Sequence, residues 1–165
     1  MHIRDKEIQR LIKYAEGMNV SVLMEPYIPF SGDSAEWDSN GTRITIFIGK
    51  RDSKLYTILS LIHELGHHLE FVHSRNRVFP ERLNDAYINA ASKLDKKMIL
   101  DFERKSAEWW ETIYKETDMK FPIYLLYKQR EFDIWQYEVL YETGEFPTKN
   151  QMKIKLRELR EKYND

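Results

Sequence analysis

The 165-residue chain contains no cysteine. That excludes disulfides, thiol nucleophiles and every metal site built on thiolate. It has no excess of charge of one sign. Its 26 Lys and Arg stand against 27 Asp and Glu, so no global field draws in nucleic acid or an anionic membrane. Long apolar runs are missing as well. The most hydrophobic stretch, Leu55 to Val72, is interrupted by His63, Glu64, His67, His68 and Glu70 and cannot span a bilayer. The opening residues MHIRDKEIQR are charged from Arg4 onward and carry no signal-peptide core, so the cytosol is the expected location. No internal repeat or low-complexity tract is visible. What is present is a polar but aromatic-rich composition, 42% hydrophobic and 32% charged, as a folded globular chain requires. Histidine is scarce, five in all, yet four of the five fall between His63 and His73.

Hydrophobic spacing organises the chain. Ile8, Leu11, Ile12, Ala15 and Met18 recur at intervals of three and four, which predicts an amphipathic helix over 3–18, with Gly17 and Asn19 at its end. A strand at Val20–Met24 is stopped by Pro26 and Pro29. Asn40-Gly41 is a strong hairpin signal, joining a short strand at Ala35–Ser39 to a longer one at Thr42–Ile48. In the latter Ile44, Ile46 and Ile48 alternate with Arg43, Thr45 and Phe47, the pattern of a sheet with one buried face. A long helix follows from about Ser53 to Val72. After Pro80 the pattern is helical: 81–92, 95–116, 122–142 and 148–163. Pro122 and Gly144-Glu-Phe-Pro147 are the breaks, and Thr148 with Gln151 forms a capping box. The expectation is an α+β fold with a small core over 1–120 and a helical extension over 121–165 packed on it, one domain overall.

The chemistry concentrates at Leu61-Ile-His-Glu-Leu-Gly-His-His-Leu-Glu70, where His63-Glu64-Leu65-Gly66-His67 matches H-E-x-x-H. Residues i and i+4 of a helix lie roughly 40° apart and one turn along, so two imidazoles converge on one ion. Glu64, rotated by roughly 100° from His63, sits beside the metal, where a carboxylate can take a proton from a metal-bound water. Leu61, Ile62, Leu65, Leu69 and Val72 form the apolar side of this helix; Tyr56, Leu59, His63, His67 and Glu70 form a second stripe. A helix so divided and entered from a β-hairpin is a zincin arrangement. His68 is about 100° off the His67 direction and is assigned a supporting or solvated role. His73 falls at the helix end, where a cation suits the dipole, and Glu70 is either a support for a ligand or solvated. Gly66 costs about 1 kcal/mol relative to Ala inside a helix, which close approach of another element or of substrate would explain.

A catalytic zinc site takes three protein ligands and leaves a position open. No histidine follows His73, so the third ligand is a carboxylate and the metzincin extension is excluded. The helix over 95–117 offers Glu103, Glu108 and Glu111. Its inward stripe is Ile99, Phe102, Ser106, Trp109, Trp110 and Ile113; Glu103 lies within roughly 60° of that stripe, whereas Glu108 and Glu111 point away. Glu103 is therefore the first choice and Glu108 the reserve.

The order helix, strand, β-hairpin, HELGHH helix at 63–68, then Glu103-Arg-Lys-Ser-Ala107 on a later helix resembles the ImmA/IrrE-like zinc metallopeptidases of bacteria, phages and mobile elements. The resemblance covers roughly residues 3–116. It implies a gluzincin-type fold, with His63, His67 and Glu103 as zinc ligands and Glu64 as general base. It also implies a protein or peptide substrate, which in the best-understood members is a transcriptional repressor. The segment from His67 to Glu103 is longer than in compact members, and no DNA-binding or sensor module is recognisable after residue 120. The expected reaction is peptide hydrolysis by a zinc-bound water. The oxyanion donor is left open among Tyr56, Tyr87, Tyr124 and Tyr127, and an extended substrate is expected to add to the Thr42–Ile48 strand as a sheet edge. The alternative is a non-proteolytic zincin-like binding or regulatory module. Nucleic acid as a partner has only residues 149–163 in its favour, six Lys and Arg against two Glu, a pattern more typical of a solvated helix face.

Overall fold

A computed structural model describes residues 5–26, 35–38, 42–48, 53–74 and 92–164. The fold is α+β and mostly helical, with a small three-stranded mixed sheet among the described residues. Helix α1 spans Lys6–Gly17 and buries Ile8, Leu11 and Ala15, the predicted stripe. Asp5 caps it by accepting from the backbone of Glu7 and Ile8 at 3.0 and 3.3 Å. Asn19 leaves it in the left-handed region at φ 61°, which asparagine tolerates.

Strand β1 (Ser21–Pro26) runs parallel to β3 (Arg43–Ile48), and β2 (Ala35–Trp37) runs antiparallel to β3. Trp37 faces Ile44 and Ala35 faces Ile46 across the second pair. The adjacent antiparallel strands are those the hairpin signal predicts; Asn40-Gly41 itself lies outside the described residues. One expectation is overturned: β3 is the central strand, in the order β1-β3-β2, so both of its edges are used. Ile44 and Ile46 are buried and so is Thr45, because a central strand has neighbours on both sides. Among the described residues, β1 and β2 are the outer strands to which another strand could add.

Helix α2 (Lys54–His73) is capped by Ser53, which accepts from the backbone of Tyr56 at 3.2 Å. Leu61, Ile62 and Leu65 are fully buried along it, while Val72, expected on the same apolar side, is 56% exposed near the helix end. The predicted helix at 81–92 falls almost wholly outside the described residues. The helix expected over 95–116 is two: α3 (Lys93–Glu108) and α4 (Trp110–Glu116). At the junction the Trp109 amide bonds the Ser106 carbonyl, three residues back, at 3.2 Å, a tightened turn that interrupts the four-residue ladder. Helix α5 (Ile123–Thr143) is unbroken and ends at Gly144, whose φ of 89° suits a residue without Cβ. Helix α6 (Lys149–Tyr163) begins with the predicted capping box.

The chain divides into two compact units, Met1–Pro80 with Ser106–Lys120, and Glu81–Lys105 with Phe121–Asp165. The division falls inside α3, between Lys105 and Ser106. In the first unit α1 is tied to its neighbours by charge. Lys54 bridges Asp5 and Glu7 at 2.9 and 2.6 Å. Glu7 accepts from the Lys120 amide at 3.0 Å, and Arg10 donates to the Asp118 carbonyl at 2.6 Å. In the second unit α6 lies along α5, where Glu131 accepts from Lys162 at 2.5 Å and from the Tyr163 hydroxyl at 3.2 Å. No helix among the described residues is long and apolar enough to cross a membrane.

Candidate metal centre

His63 and His67 stand one turn apart on α2, and their Nε2 atoms approach to 2.8 Å. Two imidazoles bound to one tetrahedral zinc at about 2.0–2.1 Å would hold those nitrogens roughly 3.3 Å apart. The observed spacing is within about half an ångström of that, so the pair fits the ion. A ligand atom of Glu103 lies within 4.8 Å of both imidazole ligand atoms, and the three are the group among the described residues close enough together to share a metal ion. Glu103 is 3% exposed. A carboxylate at that depth is stable only against hydrogen-bond donors or a cation. It stands one turn before Ser106 on α3.

Ser106 holds the other side of His67, with its Oγ 3.1 Å from Nδ1. Trp37 of β2 stacks on the His67 ring, centroids 6.4 Å apart at 27°, and itself packs on Phe71 at 5.2 Å. The Trp110 ring tilts against His63 at 5.3 Å. Burial pushes the pKa of His67 well below the ordinary imidazole value, with the neighbouring His63 adding to the effect. The ring is therefore neutral at physiological pH, the form in which an imidazole can ligate a metal. Glu64 is buried at 7% exposure on the adjoining face of the same turn.

Gly66 explains how α3 and α4 come this close. A Cβ built on it would lie 2.6 Å from the Ser106 carbonyl oxygen and 2.9 Å from the Trp110 ring. The close approach expected at this glycine is thus the crossing of the Ser106–Trp110 segment over α2, and it brings Ser106 to His67.

The remaining acidic and imidazole groups separate clearly. Glu108 is exposed and Glu111 pairs with Lys115 at 2.6 Å. Glu70 accepts from Trp109 Nε1 at 3.2 Å, and His73, the last residue of α2, stacks on the Trp109 ring at 4.7 Å. The solvated alternative for His68 does not hold. It is 4% exposed, burial and then the nearby His73 lower its pKa, and its Nδ1 has no hydrogen-bond partner among the described residues. Its place two turns after Leu61 and one turn after Leu65 on the buried side of α2 is the reason. Of the tyrosines considered as oxyanion donors, Tyr56 is 39% exposed at the start of α2, Tyr87 lies outside the described residues, and Tyr124 and Tyr127 lie on α5.

Sequence reasoning placed Ser106 on the inward stripe without assigning it a contact, and passed over Trp37 entirely. Helical phase could locate Ser106 but not its partner. Nothing in the local sequence of a three-residue strand marks Trp37 as a neighbour of His67. Searches against protein-family models, curated proteins and solved structures return no match.

Proposed function

We propose that the protein is a zinc-dependent metallopeptidase with a zincin-like core resembling the ImmA/IrrE-like enzymes, acting on a protein or peptide substrate. The observation that carries this reading is the meeting of His63, His67 and Glu103 beside Glu64 on an H-E-x-x-H helix. His63, His67 and Glu103 would hold the ion. Bound there, zinc supplies a Lewis acid for the scissile carbonyl and lowers the pKa of water toward about 7. Glu64 takes the proton of the attacking water and passes it to the amine nitrogen as the C–N bond breaks, so the products are a carboxylate and an amine. Trp37 lies beside the ring of the buried His67 and Trp110 beside that of the half-buried His63, and water held away from the His67 ring would strengthen the electrostatics there. Of the two sheet edges, β2 is the one that carries a side chain onto His67, so an extended substrate would pair along β2.

The test is a peptidase assay on a peptide library with the wild-type protein and Glu64→Gln, alongside zinc content. Cleavage by wild type, lost in Glu64→Gln with zinc retained, is the expected result. A zinc-bearing protein that cleaves nothing, and whose binding to a partner survives Glu64→Gln, would replace the enzyme by the regulatory module. Wild-type protein that takes up no metal would remove both.

A further inference from the structure

We propose that Ser106 is a positioning residue for the metal centre: it accepts a hydrogen bond from His67 Nδ1–H and so holds the imidazole in the tautomer whose Nε2 lone pair faces His63 and Glu103. The inference rests on the reading of that cluster as a metal site. A neutral imidazole carries one proton, and the nitrogen that carries it cannot ligate. The hydrogen bond at the far nitrogen therefore decides which one is available. Here the far nitrogen is Nδ1, 3.1 Å from the Oγ of a serine that is 1% exposed. A serine hydroxyl inside a helix can give its own proton to the carbonyl one turn back. Its lone pairs are then left to accept from His67.

The surroundings of the pair are close-packed on one side and aromatic on the other. The Ser106 backbone is pressed onto α2 at Gly66, the residue next to His67, where even a methyl group would meet the Ser106 carbonyl oxygen at 2.6 Å. Trp37 lies alongside the His67 ring, centroids 6.4 Å apart and the planes 27° from parallel. Gly66, His67 and Ser106 thus work together: the glycine admits the second helix, the serine reads Nδ1, and Nε2 is left for the ion.

The test compares wild type, Ser106→Ala and Ser106→Thr by zinc affinity, measured in competition with a chromophoric chelator. Long-range proton–nitrogen NMR of the metal-free proteins reports the His67 tautomer. Expected are one zinc per wild-type chain, binding 10–100-fold weaker in Ser106→Ala, and recovery of most of that loss in Ser106→Thr, which keeps the hydroxyl. His67 should carry its proton on Nδ1 in wild type and shift toward Nε2 in Ser106→Ala. Affinity in Ser106→Ala within twofold of wild type, or a wild-type His67 protonated on Nε2, overturns the proposal. Should Ser106→Ala not fold, the wild-type tautomer alone decides, and Nε2–H refutes. If wild type binds no zinc at all, the metal-site reading fails, while the tautomer measurement still judges Ser106 separately.

Discussion

Gly66→Ala is a quantitative test of the helix crossing. In an exposed helix interior this substitution stabilises by about 1 kcal/mol, because alanine loses less backbone freedom on folding. At Gly66 the new Cβ would stand 2.6 Å from the backbone oxygen of Ser106, where ordinary contact begins at 3.4 Å. The Ser106–Trp110 segment must therefore retreat by about 0.8 Å, the difference of those two distances, and backbone cannot swing aside as a flexible side chain would. Overpacking of this kind costs about 1–3 kcal/mol, and a clash with backbone as well as an indole belongs at the upper end. Setting about 3 kcal/mol against the propensity gain of about 1 leaves a net loss of about 2 kcal/mol. At roughly 2–4 °C per kcal/mol for a chain of this size, the thermal midpoint should fall by about 4–8 °C. Gly17, the last residue of α1, is the control: a Cβ there would meet nothing within 4 Å, so Gly17→Ala should be neutral or stabilise by about 0.4–1 kcal/mol. Urea unfolding of the metal-free proteins measures both without interference from metal binding. A Gly66→Ala protein as stable as Gly17→Ala would refute the crossing. A stable Gly66→Ala protein with undiminished zinc affinity would also undo the link from Gly66 through Ser106 to His67.

Three other outcomes are expected. Zinc affinity in Glu103→Ala should drop by more than the 10–100-fold that loss of a supporting residue brings, while Glu108→Ala should bind as wild type does; the same chelator competition reads both, and equal affinity in Glu103→Ala and wild type would strike Glu103 from the ligand set. Gly144→Ala should destabilise the end of α5 by about 1–2 kcal/mol, because its φ of 89° is a conformation that residues with a Cβ adopt at a cost; unchanged urea midpoints would count against it. The hydrogen bond from Lys54, with that from the Lys120 amide, holds the Glu7 carboxyl below its ordinary value of 4.5, burial opposing. Its folded-state pKa is depressed, so its contribution is complete above about pH 4.5 and is lost as pH falls through the lower folded value. The stability difference between wild type and Glu7→Gln should accordingly be constant near neutrality and shrink below pH 4.5; a difference that stays constant as the solution is acidified well past that value would rule the linkage out.

Local period and end signals were enough to place most elements. Apolar spacing located α1 and α2, proline and glycine bounded α5, and Thr148 with Gln151 started α6, because these signals act within a few residues of one another. They could not show that β3 is the middle strand, since strand order depends on where a parallel partner returns and not on the strand's own residues. Nor could they reveal the interruption at Trp109: the apolar stripe continues through it, and the change is a single amide bonding three rather than four residues back.

The same boundary runs through the candidate site. That His63 and His67 share a face, that Glu64 lies beside them, and that a third ligand would have to be a carboxylate are all legible in the chain of residues. Each follows from the helical repeat or from the absence of cysteine and later histidine. Which residues of a later helix come up against the pair depends on packing, as the placing of Ser106 beside His67 shows. How closely the Ser106–Trp110 segment approaches α2 is set by the missing Cβ at Gly66, which would otherwise meet the Ser106 carbonyl. The contacts of Ser106 and Trp37 with His67 follow from that packing, between residues distant in the chain, where no helical repeat reaches.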